Sequence, residues 1–189
     1  MKLSQKHLLL GVICLISAIF CNIAVISVII PYLAFCLCSF FVGLKGKNAF
    51  GIILVLLFGL VGLPVFDFVY SRLTAPIATT YLACILILLV QACVYFGLFV
   101  LVNFLIRKEK FSFSLITGIA AISLIVVYSV LEGIQAFALF NAIDQAVEQG
   151  ALTDWLNVID GGNIFVSILS GMVFYITLWC VCTRYIKGK

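Results

Sequence analysis

A glutamic acid lies inside one of the long apolar stretches of this sequence, together with two other polar side chains. Tyr128 precedes Glu132 by four residues, and Gln135 follows it by three. This spacing places all three side chains on one face of a helix. A charged group near the centre of a bilayer costs about 2.5 to 3.5 kcal/mol on insertion scales, so it should face protein or a cavity. Glu132 is therefore expected either in a polar pocket or proton site, or in a hydrogen bond between helices.

A second group of polar and aromatic residues follows Pro64. It contains Phe66, Asp67, Tyr70 and Arg72. We expect a loop here, because Pro64 lacks the amide hydrogen that a helix interior needs. Aromatic walls with a few directed polar groups are typical of small-molecule sites, and Arg72 could meet an anionic ligand. The alternative is an aromatic belt at the membrane interface.

A third group lies at the end of the longest break in hydrophobicity, residues 144–162. Trp155, Asp160 and Asn163 lie on either side of two adjacent glycines. Paired glycines permit backbone conformations that are closed to other residues. Asn163 can cap the helix that follows, whose amino-terminal end favours anionic or carbonyl groups. The second and third groups together predict a ligand pocket between two loops.

Signatures of enzymes and metal sites are absent from the sequence. It has no H-E-x-x-H or G-x-S-x-G motif, and its single histidine, His7, cannot support a histidine-based relay. The basic segment 43–48 lacks the glycine and hydroxyl positions of a phosphate loop. The eight cysteines fall in apolar runs and include two C-x-C pairs, which indicates small buried side chains. We expect neither an enzyme nor a cofactor or metal site.

The composition indicates that these residues belong to a membrane protein. Of the 189 residues, 66% are hydrophobic and only 10% are charged, and the mean hydropathy is +1.35, which excludes ordinary soluble domains. A spanning helix needs about 20 apolar residues, so residues 1–189 hold about six crossings in a single domain. The formal charge of +4 is too small to indicate nucleic-acid binding.

Six apolar runs are candidate spans of an all-α membrane bundle. They cover about residues 8–30, 32–44, 48–63, 77–106, 111–143 and 163–183. Pro31 and Pro64 are expected to end the first and third runs, because proline cannot donate the helical hydrogen bond. The fourth and fifth runs exceed the length of a simple span, so they must tilt, bend or project beyond the bilayer.

The cations alternate between the two sides that this six-span arrangement creates. Ten of the eleven fall on one side: Lys2, Lys6, Lys45, Lys47, Arg107, Lys108, Lys110, Arg184, Lys187 and Lys189. The positive-inside rule makes that side cytoplasmic and places both termini there. Arg72 is the one cation predicted on the outer side, among aspartates, glutamate and aromatic residues.

Four segments of the sequence resemble one family of transport proteins. Phe41–Phe66 is similar to the second and third helices of BioY proteins, the biotin-specific substrate-binding components of energy-coupling-factor transporters. Within that segment, Gly62–Phe66 (GLPVF) is the most specific part of the resemblance. Pro76–Leu82 looks like the family's segment with a proline, paired glycines and a tyrosine, and Val126–Tyr128 looks like its fifth helix. Gly162–Asn163 falls where the family has Gly-Asp at the opening of the last helix.

The sequence departs from this family at positions associated with biotin. Thr79 and Thr80 stand at the glycine positions, with one residue more in the segment. Asn163 and Val166 replace the family's aspartate and lysine. Asn163 can still exchange hydrogen bonds with a ureido group, but Val166 cannot meet a carboxylate. Arg72 is then the candidate for that contact, or the ligand is not biotin.

The resemblance implies a six-helix subunit in a bacterial inner membrane that captures biotin or a similar vitamin from outside. It implies a transmembrane coupling protein and cytoplasmic ATPase subunits as partners. In this hypothesis Phe66, Tyr70, Tyr81 and Trp155 supply stacking surface. Arg72 meets the carboxylate, Asp160 and Asn163 bond the heterocycle, and Asp67, Tyr128, Glu132 and Gln135 complete the site. The alternatives are another vitamin or small heterocycle as ligand, or a structural membrane protein that binds none.

Overall fold

A computed structural model describes residues 3–20, 28–43, 49–107, 115–148 and 161–187 of this chain. These residues form helices joined by short turns, and no β-strand occurs among them. The segments Ala49–Ile77, Tyr81–Ile106, Gly118–Leu139 and Phe165–Arg184 are long and apolar enough to cross a membrane. Gln5–Phe20 and Ile30–Val42 are shorter apolar helices. The described part of the chain therefore has the all-α character of a membrane helical protein.

We number the α-helices α1 to α7 in chain order. They cover Leu3–Phe20, Ile30–Gly43, Ala49–Leu56, Leu63–Thr74, Tyr81–Arg107, Leu115–Glu148 and Gly161–Lys187. The π-helical segment Leu57–Gly62 joins α3 to α4, and the 3-10 helix Ala75–Ile77 follows α4. The helices α3 and α4 therefore belong to one continuous helical stretch.

The helix does not end at Pro64, which corrects the sequence-based expectation. Pro64 lies in the first turn of α4, directly after the π-helical segment Leu57–Gly62. The helix can continue through this proline because the π-helical turn interrupts the regular i→i−4 pattern just before it: the Leu63 amide donates to the Phe58 carbonyl oxygen, five residues back. The predicted loop after Pro64 is consequently helix α4. Similarly, Pro31 lies in the first turn of α2, which begins at Ile30 after a turn at residues 28–29.

Aromatic rings from three helices fill the centre of the bundle. The ring of Phe35 on α2 meets those of Tyr95 and Phe99 on α5 edge to face, with both centroid distances at 5.6 Å. The Tyr95 ring also meets Phe174 on α7 at 5.0 Å. Helix α6 packs against α5 and α7, and α1 packs against α7 and α2. This packing brings α2, α5, α6 and α7 around a common interior.

The outward surfaces of the helices are apolar. Leu86 is 50% exposed, Ile122 64% and Phe165 68%. Large apolar patches of this kind on a soluble protein mark interaction sites or cause aggregation, whereas lipid solvates them. The exposed apolar side chains thus fit a multi-pass membrane protein.

Close packing of α5 against α6 depends on Gly133. A Cβ atom added there would lie 2.6 Å from the Cγ1 atom of Ile85 and 2.9 Å from its Cα atom. We expect Gly133→Ala to destabilise the protein by about 1 to 3 kcal/mol, because backbone would have to move. Gly97→Ala is the matched control, since nothing lies within 4 Å of its added Cβ. Thermal unfolding of both purified variants measures the difference, and equal melting temperatures would contradict the close contact.

Candidate functional site

A cavity of about 300 Å³ lies between α2, α4, α5, α6 and α7, and we call it the central cavity. Its polar lining comes from α4, α5, α6 and α7: Asp67, Gln91, Glu132, Ser167 and Ser170. Its aromatic lining consists of Tyr95, Tyr128, Phe174 and Tyr175. Apolar walls with a few polar groups can hold and orient a small organic molecule.

Asp67 accepts two hydrogen bonds at the edge of the central cavity. The Tyr32 hydroxyl on α2 donates to its Oδ2 atom at 2.6 Å, and the Gln91 amide on α5 donates to its Oδ1 atom at 2.9 Å. Both carboxyl oxygens therefore have a donor, and the group joins three helices. Asp67 lies on helix α4, where a loop was expected, and its side chain points toward its partners on α2 and α5.

Glu132 lines the same cavity from α6. The Ser170 hydroxyl on α7 donates to its Oε2 atom at 2.5 Å and also lies 3.0 Å from the Ser167 carbonyl oxygen. Ser170 is only 1% exposed. Among the described residues, Ser170 is the hydrogen-bond partner of the Glu132 side chain.

The aromatic residues give the central cavity a fixed wall. The rings of Tyr128 and Phe174 lie 5.0 Å apart, which links α6 to α7. The Tyr95 hydroxyl donates to the Pro31 carbonyl oxygen at 2.8 Å, which ties α5 to the first turn of α2. These contacts hold the ring planes in place, so a flat heterocycle could stack on them without rearrangement.

Gln135 does not join the two residues with which it was grouped. The structure brings Tyr128 and Glu132 to the central cavity, whereas Gln135 lines none of the cavities described in this section. Its Oε1 atom is buried and has no hydrogen-bond partner among the described residues. Gln135 shares the helix face of Tyr128, but it lies about 10 Å further along α6, so distance along the helix axis and not rotation separates the two side chains.

A second cavity of about 430 Å³ lies between α4, the 3-10 helix, α5 and α6, and we call it the Arg72 cavity. Arg72, Tyr70, Ser71 and Thr74 contribute its polar lining at the carboxyl end of α4. The Arg72 guanidinium lies 5.5 Å from the centroid of the Phe68 ring, at cation–π distance. Arg72 is the one cation among the described residues that line either cavity.

Phe66 and Tyr70 form a stacked pair on α4. Their centroids are 5.1 Å apart with an interplanar angle of 16°. The Tyr70 hydroxyl donates to the Ile87 carbonyl oxygen on α5 at 3.0 Å. Tyr70 therefore lines the Arg72 cavity in a fixed position. Phe66 supports it through the stack and lines neither cavity.

The remaining predicted site residues are Tyr81, Trp155, Asp160 and Asn163. The Tyr81 ring packs on Phe137 at 3.8 Å and lines neither cavity. Trp155 and Asp160 lie outside the described residues. Asn163 lies in the first turn of α7, but its side chain is outside the described part of the chain. Of the two loops that were expected to form the pocket, residues 66–72 belong to helix α4, and residues 153–160 lie outside the described residues.

Three central polar residues were not predicted from the sequence: Tyr32, Gln91 and Ser170. Gln91 carried a usable signal, since it and Asn103 are the two amide side chains in the apolar sequence of α5, and polar groups inside spans face the bundle interior. Tyr32 and Ser170 carried little sequence signal, because tyrosine and serine are common in membrane helices. Their role depends on hydrogen-bond partners 35 and 38 residues away in the chain.

The two cavities differ in the charged groups that line them. Asp67 and Glu132 give the central cavity two carboxyl groups, and no lysine, arginine or histidine lines it among the described residues. The Arg72 cavity has one carboxyl group, Asp67, and one guanidinium. Among the described residues, no three histidine, cysteine, aspartate or glutamate side chains are grouped to hold a metal ion. The central cavity is suited to a ligand that donates hydrogen bonds.

Comparison with known proteins gives no match to this chain: no family model, no curated protein and no solved structure is similar to it.

Proposed function

We propose that this chain is the substrate-binding subunit of an uptake transporter for a vitamin or similar small heterocycle, in a bacterial inner membrane. The central cavity carries this proposal. It combines two carboxyl groups with four aromatic residues inside an apolar helical bundle. A polar cavity at such a position is costly unless it serves a ligand or an ion.

Biotin is the first ligand candidate, because of the sequence resemblance to BioY proteins. The two N–H groups of a ureido ring would donate hydrogen bonds to the carboxyl oxygens of Asp67 and Glu132. The aromatic side chains of the cavity wall would pack against the faces of that ring. The carboxylate of the side chain would extend toward Arg72. The ligand would then lie across both cavities, which meet at Asp67 and Gln91.

The proposed membrane arrangement has six spans with both termini in the cytoplasm. The helical segments, with α3 and α4 counted as one, supply the six crossings. The orientation follows from the lysines and arginines. They occur at both chain ends, between the second and third segments, and between the fourth and fifth segments. In this arrangement Arg72 and the first turns of α2, α5 and α7 lie toward the outside, where a captured vitamin arrives. A coupling protein and cytoplasmic ATPase subunits would drive release inside.

A thermal-shift screen of the purified protein tests this function. Biotin, thiamine, riboflavin and a queuosine precursor form the panel, and we expect one of them to raise the melting temperature in a saturable way, since a ligand that binds only the folded state stabilises it. A shift with biotin supports the first candidate. A shift with another member moves the proposal to that ligand, and no shift with any member would contradict ligand capture.

Arg72 provides a test of the ligand's orientation. We expect Arg72→Ala to weaken biotin binding about tenfold, which corresponds to one charge-assisted hydrogen bond, and to leave the binding of biotin amide nearly unchanged. Calorimetric titration of both ligands measures the two losses. Equal losses for acid and amide would refute a contact between Arg72 and the carboxylate.

A structural role without ligand is the second candidate, and one observation favours it. Glu132 accepts a hydrogen bond from Ser170 on another helix, as a residue that holds the bundle together would. On this hypothesis, substitution of Glu132 lowers stability, and no vitamin shifts the melting temperature. The open volume beside Glu132 argues against it, because a purely structural bundle gains by filling such space.

A further inference from the structure

The central cavity and the Arg72 cavity share two lining residues, Asp67 and Gln91. These two are bonded to each other: the Gln91 Nε2 atom donates to the Asp67 Oδ1 atom at 2.9 Å. The hydrogen bond therefore lies where the two cavities meet. A molecule that occupies both cavities, or passes from one to the other, must cross this contact.

The two halves of this contact differ in how firmly they are held. Asp67 keeps a second hydrogen bond, from the Tyr32 hydroxyl at 2.6 Å, when the Gln91 bond breaks. Among the described residues, Gln91 has Asp67 as its hydrogen-bond partner and no other. Its side chain has three rotatable bonds, so its amide can swing while the helix backbone stays in place. Gln91 is the movable half and Asp67 the fixed half.

We propose that Gln91 is a specificity-determining residue that closes the passage between the two cavities and swings aside for a two-part ligand. The inference rests on the proposed function and adds the ligand's shape to it. Such a ligand has a head with N–H donors for Asp67 and Glu132, and an anionic tail that reaches Arg72. The head alone fits the central cavity and leaves the Asp67–Gln91 bond intact.

Thiol labelling tests the partition without any ligand. Cys84 is a native reporter because it lines the Arg72 cavity, and Ala92→Cys adds a reporter in the central cavity. The probe is methanethiosulfonate ethylsulfonate, and peptide mass spectrometry resolves each site in reconstituted protein. Ala92 and Cys84 are each only 3% exposed, so we expect the thiols at both positions to react slowly in the parent protein, and the comparison is made at position 92. Adding Gln91→Ala should raise the rate at position 92 about tenfold, the effect of losing one charge-assisted hydrogen bond, while the Cys84 rate stays constant.

Two further variants make the labelling result decisive. Gln91→Met keeps the side-chain length and removes the hydrogen bond, so it should act like Gln91→Ala even if alanine disturbs packing. Val90→Ala changes an exposed neighbour that lines neither cavity, and it should have no effect. An unchanged rate at position 92 in both Gln91 variants would overturn the partition.

A second measurement connects the partition to ligand choice. Titration with biotin and with 2-imidazolidone, its ureido head, gives the ratio of two affinities. Gln91→Ala should raise the ratio in favour of biotin about tenfold, because the tail no longer has to displace the amide. A constant or lower ratio would overturn the role in specificity. If the Gln91 variants raise the labelling rate at position 92 while neither ligand binds, the partition is supported and the proposed function is wrong. If biotin binds while the labelling rate does not change, the proposed function is supported and the partition is wrong.

Discussion

Replacing Asp67 with alanine is expected to lower both the stability of the protein and its affinity for ligand. The substitution removes the acceptor for the Tyr32 hydroxyl and for the Gln91 amide. A buried donor left without an acceptor costs about 1 to 3 kcal/mol, and both donors here are partly buried, so we place each near the lower limit. The ligand loses a carboxylate contact as well, which we expect to reduce affinity about a hundredfold.

Asp67→Asn and Tyr32→Phe separate the two effects. Asparagine retains one acceptor oxygen for Gln91, so the melting temperature should fall less than with alanine, while a ligand that needs a carboxylate is still bound more weakly. Tyr32→Phe removes one hydrogen bond and keeps the ring, so it should affect stability more than affinity. Thermal unfolding and calorimetric titration of the three variants give both quantities. An Asp67→Ala protein with the parent's melting temperature and affinity would exclude Asp67 from both roles.

Replacing Glu132 with leucine should reduce ligand affinity by about ten- to a hundredfold without loss of stability. The Ser170 hydroxyl that bonds Glu132 also lies within reach of the Ser167 carbonyl oxygen, so it keeps a partner after the substitution. Removing an intramembrane carboxyl group also removes its insertion cost, about 2.5 to 3.5 kcal/mol for a charged side chain. Glu132→Gln should preserve the bond from Ser170 and weaken binding less than leucine does.

Gln135→Leu is the matched control on the same helix. Gln135 lines neither cavity, and its buried Oε1 atom has no partner among the described residues. Leucine at this position should therefore leave affinity unchanged and raise the melting temperature, because an unsatisfied buried carbonyl is lost. If Glu132→Leu and Gln135→Leu have the same effect on affinity, Glu132 does not belong to the ligand site.

The hydrophobic runs predicted the apolar, helical character of the described residues, since a long apolar run is what a membrane helix requires. Pro64 is the exception. Its effect depends on the π-helical segment Leu57–Gly62 before it, which places the proline in a first turn. A sequence pattern of periodic hydrophobicity does not distinguish that register from a helix end. The resulting error turned α4 into a loop and hid the inward direction of Asp67.

The candidate site was only partly predictable. Tyr128 and Glu132 were found from their spacing of four residues, which is a local property of one helix. The partners of Asp67 and Glu132 come from other helices, between 24 and 38 residues away. Which helices meet, and at what rotation, depends on contacts such as Gly133 against Ile85 that no periodicity encodes. Arg72 was prominent as an isolated outward cation, but the boundary between its cavity and the central one required the fold.

Calorimetric titration of the purified protein with biotin tests the central claim most directly, namely that the central cavity captures a small heterocycle. We expect saturable heat with one site per chain, strongly reduced in Glu132→Leu and retained in Gln135→Leu. If another member of the vitamin panel replaces biotin, the same pattern across the two variants is required. Saturable binding that Glu132→Leu leaves unchanged, or no heat with any member of the panel, would contradict the account.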